Sequence, residues 1–284
     1  MTRFGMVIDI GACIGCYNCV TVCKDEHVGN DWPPYSAAQP DTGHFWINVT
    51  EKERVLPQIV KVTYTPILCM HCKDAPCVKA AKGGAAFVRK DGIVVLDPVK
   101  ARGQKQIVDS CPYGVIYWNE KEGTPLARGL PQKCTFCAHL LDEGYRQPRC
   151  AESCPTNAIT FGDLEDPKSE VSRLIKNGGT ETMIPELGID TAVRYIGLPK
   201  PMMGGSVIFE DTGECGVDVE VTLSDNSGQR IRTKTNNYGD FLVERLQAGG
   251  KYEVRLDHPG YLPERRSIIV DGDANLGEVF LHRK

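Results

Sequence analysis

Twelve of the thirteen cysteines in this 284-residue chain fall into short runs. Cys13, Cys16, Cys19 and Cys23 make C-x2-C-x2-C-x3-C, and Cys69, Cys72 and Cys77 make C-x2-C-x4-C. Cys111 stands before Pro112, while Cys134, Cys137, Cys150 and Cys154 make C-x2-C-x12-C-x3-C before Pro155. Three cysteines two residues apart in a tight loop wrap one face of a [4Fe-4S] cube, and the fourth thiolate must come from elsewhere. The twelve sulfurs therefore add up to three complete four-sulfur cages, and only Cys215 is left over.

Which sulfurs share a cage can be argued by counting. In a two-cluster ferredoxin run the last cysteine ligates the neighbouring cluster. Measured back from Cys111, such a run needs sulfurs at three slots that hold Ile107, Gln104 and Ala101; measured forward from Cys77, one at a slot that holds Ala81. Under crossed ligation those four slots are a single cage, wholly lost, and the surviving halves join as Cys69, Cys72, Cys77 and Cys111. Uncrossed ligation leaves one run a sulfur short and Cys111 without partners. The other expected cages are Cys13, Cys16 and Cys19 with Cys154, and Cys134, Cys137 and Cys150 with Cys23.

A disulfide framework suits short secreted chains, not one of this length without a leader. Zinc would satisfy Cys134, Cys137, Cys150 and Cys154 taken alone, but has no use for the run at Cys13. A net charge of -4 gives no reason to expect a nucleic-acid partner. No apolar stretch is long enough to span a membrane, and the N-terminus enters the first cysteine run at once, without a signal peptide or twin-arginine segment. A cytoplasmic protein with no membrane anchor is expected.

The expected fold class is α+β: tandem interlocked ferredoxin-like iron-sulfur modules followed by a small all-β domain, a transthyretin-like sandwich or barrel. Residues 1–165 carry the sulfur loops between short strands and helices, with AAFVRKDGIVVLD reading as a hairpin that turns at Asp91-Gly92. Such modules bury little apolar surface, so metal binding should contribute much of their folding free energy. Residues 166–200 read as a linking helix, PKSEVSRLIKN, and an irregular connector. From 201 to 284 the pattern is about seven alternating strands, with Val217, Val219, Val221 and Leu223 on one face and Cys215 as a buried, inert thiol.

CIGCYNCVTVCKDEH, PILCMHCKDAPC, CPYGVIYW and KCTFCAHLLDEGYRQPRCAESCPTNAITFGDLEDP closely resemble the iron-sulfur subunits of the molybdopterin oxidoreductases, the dimethyl sulfoxide reductase family. The resemblance spans roughly residues 4 to 196. It implies an electron-transfer subunit with no catalytic residues of its own. A large partner would carry the molybdopterin cofactor and the chemistry, forming at least a heterodimer. Family members usually hold four clusters and pass electrons on through a membrane anchor. Ala81, Ala101, Gln104 and Ile107 occupy the slots of the cluster that in relatives lies farthest from the molybdenum, so a soluble complex is implied, and the three-cage inventory together with the appended β domain resembles a hydroxyl-transferring molybdenum or tungsten enzyme. The residues also admit a soluble polyferredoxin-type carrier serving a formate dehydrogenase or hydrogenase complex.

Other side chains near the sulfurs have plainer readings. Lys24, Lys133 and Arg149 each adjoin a ligand and read as solvated basic side chains. His71 and His139 read as hydrogen-bonded structural histidines, because the cysteine count is already closed. Trp32, Trp46 and Trp118 read as packing residues or contacts with the large subunit.

Overall fold

The computed structural model describes residues 2–56, 59–120 and 128–284, which form two units. The first unit comprises Met1–Glu51 and Tyr64–Leu198. Its organising strand is Phe4–Asp9, in which Gly5, Met6, Val7 and Ile8 are all buried. A strand that is apolar on both faces must be central, and this one has a neighbour on each side. Val193–Ile196 runs parallel to it, with Met6 opposite Val193, and Ile159–Asp163 runs antiparallel, with Ile8 opposite Ile159. Thr180–Glu181 pairs with Val193–Ile196 and completes the four-stranded sheet.

This pairing carries the N-terminal sulfur run to the last one. Helix Asn18–His27 packs against the short helix Arg149–Glu152, and the Asn18 side-chain amide donates to the Ser153 carbonyl at 2.6 Å. The second run leans on the same sheet: Ala192 N–H donates to the Met70 carbonyl at 3.0 Å and Lys73 N–H to the Asp190 carbonyl at 2.9 Å. The hairpin Ala86–Val88 and Val94–Leu96 turns at Asp91 and Gly92, whose φ of 84° is left-handed. It is pinned to the second run where Val94 N–H donates to His71 Nδ1 at 3.1 Å.

The linking helix and irregular connector need correction. Glu170–Lys176 is a helix, but it packs on strands Ile159–Asp163 and Phe4–Asp9 inside the first unit, with Val171 fully buried. The supposed connector supplies Val193–Ile196, in which Val193 and Tyr195 are buried. A four-residue strand whose partner lies almost two hundred positions away has too little periodicity of its own to be read.

The second unit comprises Lys52–Thr63 and Pro199–Lys284. Its first segment is the middle of a two-stranded sheet, Ile47–Leu56 with Ile59–Leu68, which lies inside the range read as iron-sulfur modules. Within the second unit the Arg54 guanidinium donates to the Lys200 carbonyl at 2.7 Å and to Asp273 at 3.1 Å, and Leu56 is buried. Seven strands follow in two sheets. Asp240–Val243, Met203–Phe209 and Ala274–Leu281 form one, and Arg230–Lys234, Glu220–Asp225, Gly250–Asp257 and Glu264–Val270 the other. The inward positions Val207, Val221, Leu223, Val254, Leu256 and Val279 are fully buried. The sheets stay separate, so this is no barrel. Val217 is only half-buried and precedes the strand, and Cys215 is exposed in the turn between Met203–Phe209 and Glu220–Asp225. A cysteine outside the alternating core positions has no apolar neighbours to seal it.

Candidate metal centres

The sulfur loops share a local device that spacing alone did not reveal. Gly15, His71 and Phe136 each stand two residues after the first cysteine of a C-x2-C pair, and each is left-handed, with φ of 66°, 44° and 54°. That conformation turns the backbone N–H back on the preceding sulfur: His71 N–H reaches Cys69 Sγ and Phe136 N–H reaches Cys134 Sγ, both at 3.4 Å, and Gly15 N–H serves Cys13. Glycine is required only at the first, where a Cβ would stand 2.4 Å from the Tyr64 ring. At the other two the rings stack on each other, with centroids 3.8 Å apart. Amide donors on the sulfurs stabilise the thiolate form and tune any metal group held there.

Tertiary folding sorts the twelve cysteines into three neighbourhoods. Cys69, Cys72, Cys77 and Cys111 line one cavity. Cys13, Cys16, Cys19 and Cys154 lie within electrostatic range of one another, as do Cys134, Cys137, Cys150 and Cys23. Electrostatic influence links the sets in order: Cys19 acts on Cys150, and Cys69 on Cys134. The middle set, Cys23, Cys134, Cys137 and Cys150, is wholly buried, whereas each outer set reaches the surface, through Cys16 at one end and Cys111 at the other.

Burial governs the chemistry of these thiols. It pushes Cys19, Cys72 and Cys137 up to about 12, Cys23 and Cys77 up to about 11, and Cys134 and Cys150 well above the ordinary thiol value. Metal binding must therefore displace protons from sulfur. Among the described residues no group of three or more His, Cys, Asp or Glu closes round a single ion. The donor set instead fits a larger group: four soft thiolates round a cavity, with the buried Tyr113 hydroxyl lining the same cavity and lacking a hydrogen-bond partner among the described residues. Thiolate sulfur is the ligand that iron-sulfur cubes take.

Side chains that the spacing did not single out complete the middle set. Gln39, fully buried, donates its amide toward Cys23 Sγ at 3.9 Å, and His27 Nε2 lies 3.9 Å from Cys137 Sγ. Burial, aided by nearby His139, lowers His27 to about 3 and keeps it neutral. Glu26 holds His139 Nε2 at 2.9 Å and Arg149 Nε at 2.8 Å. Burial alone would raise its pKa, but those partners outweigh it and the carboxyl lies below its ordinary value. Arg149 is therefore an ion-pair member bridging Glu26 and Glu152, not a free solvated cation. Trp32 stacks on His139 at 4.2 Å, and Trp46 is buried against His27. Lys24 donates to the Pro40 and Gly43 carbonyls. Lys133 is only 2% exposed, so the solvated reading fails for it entirely.

Known proteins agree with this chemistry. Residues 60–164 match the 4Fe-4S dicluster domain family and residues 203–280 the carboxypeptidase regulatory-like domain family. The chain belongs to the iron-sulfur subunits of the dimethyl sulfoxide reductase family. Among its relatives is the pyrogallol hydroxytransferase small subunit of Pelobacter acidigallici, 37% identical over 99% of this chain and 100% of that one. A Halobacterium salinarum protein assigned as a dimethyl sulfoxide reductase iron-sulfur subunit is 35% identical over 69% of this chain and 79% of its own. The arsenate respiratory reductase iron-sulfur subunit of a Shewanella strain is 34% identical over 68% of this chain and 96% of its own.

Proposed function

We propose that this chain is the electron-transfer subunit of a molybdenum or tungsten enzyme that moves a hydroxyl group between polyphenols, pyrogallol to phloroglucinol. It would hold three [4Fe-4S] clusters: one on Cys13, Cys16, Cys19 and Cys154, one on Cys134, Cys137, Cys150 and Cys23, and one on Cys69, Cys72, Cys77 and Cys111. Each such cluster accepts and returns single electrons. The observation that carries the reading is the row of three sulfur sets, buried in the middle and open at both ends. A conductor needs that arrangement, because its inner member must be shielded from solvent while its outer members remain within reach of donors and acceptors.

The residues of this chain hold, insulate and tune. Left-handed turns at Gly15, His71 and Phe136 aim amides at the sulfurs, and His27, Gln39 and Trp46 close the middle set against water. The chemistry on substrate belongs to a larger partner carrying bis(molybdopterin guanine dinucleotide), and no catalytic residue is assigned here. Among the described residues no helix is long and apolar enough to cross a membrane. With the fourth cage replaced by Ala81, Ala101, Gln104 and Ile107, a membrane exit loses its terminal relay, and a cytoplasmic heterodimer without a membrane anchor is the form proposed. Support for the hydroxytransferase reading comes from the alignment with the Pelobacter small subunit, which runs through the β domain, while those to the two reductase subunits stop at 69% and 68% of this chain.

Metal analysis of the purified complex tests this. About twelve irons per chain, molybdenum or tungsten in the co-purifying large subunit, and conversion of pyrogallol to phloroglucinol are expected. Eight or sixteen irons would refute the ligand assignment, and a nickel-iron or flavin partner would refute the assigned complex.

A further inference from the structure

Lys133 is the one charged side chain among the described residues that line the cavity of Cys69, Cys72, Cys77 and Cys111. Its backbone belongs to the loop of Cys134, next to the middle sulfur set, yet its side chain reaches the neighbouring one. There the ammonium donates to the Val94 carbonyl and, at 3.0 Å, to the Cys134 carbonyl. The side chain is almost wholly buried, and no carboxylate among the described residues lines the cavity. A buried cation held only by two carbonyls is poorly compensated, since such charges are normally paired. The compensation is at hand in the four sulfurs that line the same cavity as the ammonium.

Building on the three-cluster reading above, we propose that Lys133 is a positioning charge that raises the reduction potential of the group held by Cys69, Cys72, Cys77 and Cys111. Four thiolates round a [4Fe-4S] cube carry net negative charge, and gaining one electron, with no bond formed, adds one more. A fixed cation at the cavity wall in a low-dielectric interior lowers the free energy of that added electron. Cations act on the middle set as well, Lys24 on Cys23 and Arg149 on Cys137, but both are partly exposed and Arg149 is paired with Glu26 and Glu152, so solvent and carboxylates screen a charge that at Lys133 is buried and faces no carboxylate among the described residues. The effect is to make the Cys111 end the better resting place for an electron.

The test is a mediated potentiometric titration of the intact complex, followed by electron paramagnetic resonance, on the unaltered chain and on Lys133→Gln, Lys133→Met and Lys133→Arg. At a fixed solution potential, the reduced-to-oxidised ratio of the third cluster should fall about tenfold in the glutamine and methionine variants, a shift of about 59 mV for one electron. The middle cluster should move less, and the arginine variant should stay near the unaltered value. Unmoved potentials with full iron content overturn the proposal. So does loss of iron from this site in both neutral variants, which makes the ammonium only a staple for two carbonyls. Iron counting on the unaltered chain tests the cluster reading separately: fewer than three clusters there sinks that reading, whereas three clusters with indifferent Lys133 variants sink only this proposal.

Discussion

Ile107 stands where a fourth cage would have needed a sulfur, and it is fully buried. Ala101, another of the four slots, is also fully buried, and Ala81 packs against the same core. Gln104, the remaining slot, clamps backbone groups: its amide oxygen accepts Lys82 N–H at 2.8 Å, and its amide nitrogen donates to the Lys82 carbonyl at 3.1 Å and the Lys100 carbonyl at 2.8 Å. The slots are thus filled by packing and hydrogen bonds. Ile107→Ala removes three buried carbons, about 2.4 kcal/mol of transfer free energy at about 0.8 kcal/mol each, and a cavity term brings the loss to about 3–4 kcal/mol. Gln104→Ala breaks these three bonds and a fourth donated by the Gln106 amide at 3.1 Å, but all are solvent-exposed, so water replaces much of the loss and about 1 kcal/mol is expected. With a urea slope of about 2 kcal/mol per molar, the alanine at 107 should lower the midpoint by about 1.5–2 M and that at 104 by about 0.5 M. The assay is anaerobic urea unfolding followed by far-ultraviolet circular dichroism and by cluster absorbance, with iron content measured beforehand. A reversed order of the two variants, or a loss below about 1 kcal/mol for Ile107→Ala at full iron content, would refute the argument that core packing closed this slot.

Further outcomes follow from the same geometry. Cys111→Ser should lower the iron content by about four per chain while leaving the resonance signals of the other two clusters in place; a loss shared among all three would show that Cys111 does not serve the Cys69 set. In the second unit, Phe241→Ala empties a nearly fully buried position between the sheets and should cost about 3–5 kcal/mol, read as a lowered thermal midpoint; an unchanged midpoint would count against the sandwich core. The Asp142 carboxyl is held below its ordinary value, chiefly by hydrogen bonds from the Arg89 guanidinium at 2.6 and 3.0 Å. A depressed carboxyl adds stability that is fully present above its unfolded value near about 4 and is lost as pH falls through the folded one. The advantage of the unaltered chain over Asp142→Asn in urea should therefore be steady from neutral pH to about 5 and fade below about 4. Since the pair is partly exposed, that advantage should be small; one that grew on acidification would contradict the sign.

The iron-sulfur chemistry was legible before any fold was known, because cysteine has few uses at that density, and slot counting alone supplied the grouping of sulfurs proposed above. The hairpin turning at Asp91-Gly92 and the inward positions Val219, Val221 and Leu223 were equally readable, since turn chemistry and two-residue alternation are local signals. What escaped were features made by distance. Val193–Ile196 is a strand only because Phe4–Asp9 is beside it, and Lys52–Thr63 belongs with the β domain only through contacts such as Arg54 with Asp273. Lys133 read as a solvated basic side chain and Glu26 and His27 drew no reading at all, because burial of a charge is a property of the surroundings and leaves no mark on the residue itself.

The sequence by itself determined the chemistry: iron-sulfur clusters, twelve cysteines in runs spaced to hold them, and a β domain of alternating strands. Those follow from residue identity and short spacing, which are fixed along the chain. Tertiary structure alone decided the row in which the sulfur sets stand, the burial of the middle set, and the cation lodged beside the last one. Each of these depends on segments far apart in sequence meeting across a sheet, and it is that meeting which sets the dielectric and the charge around every sulfur.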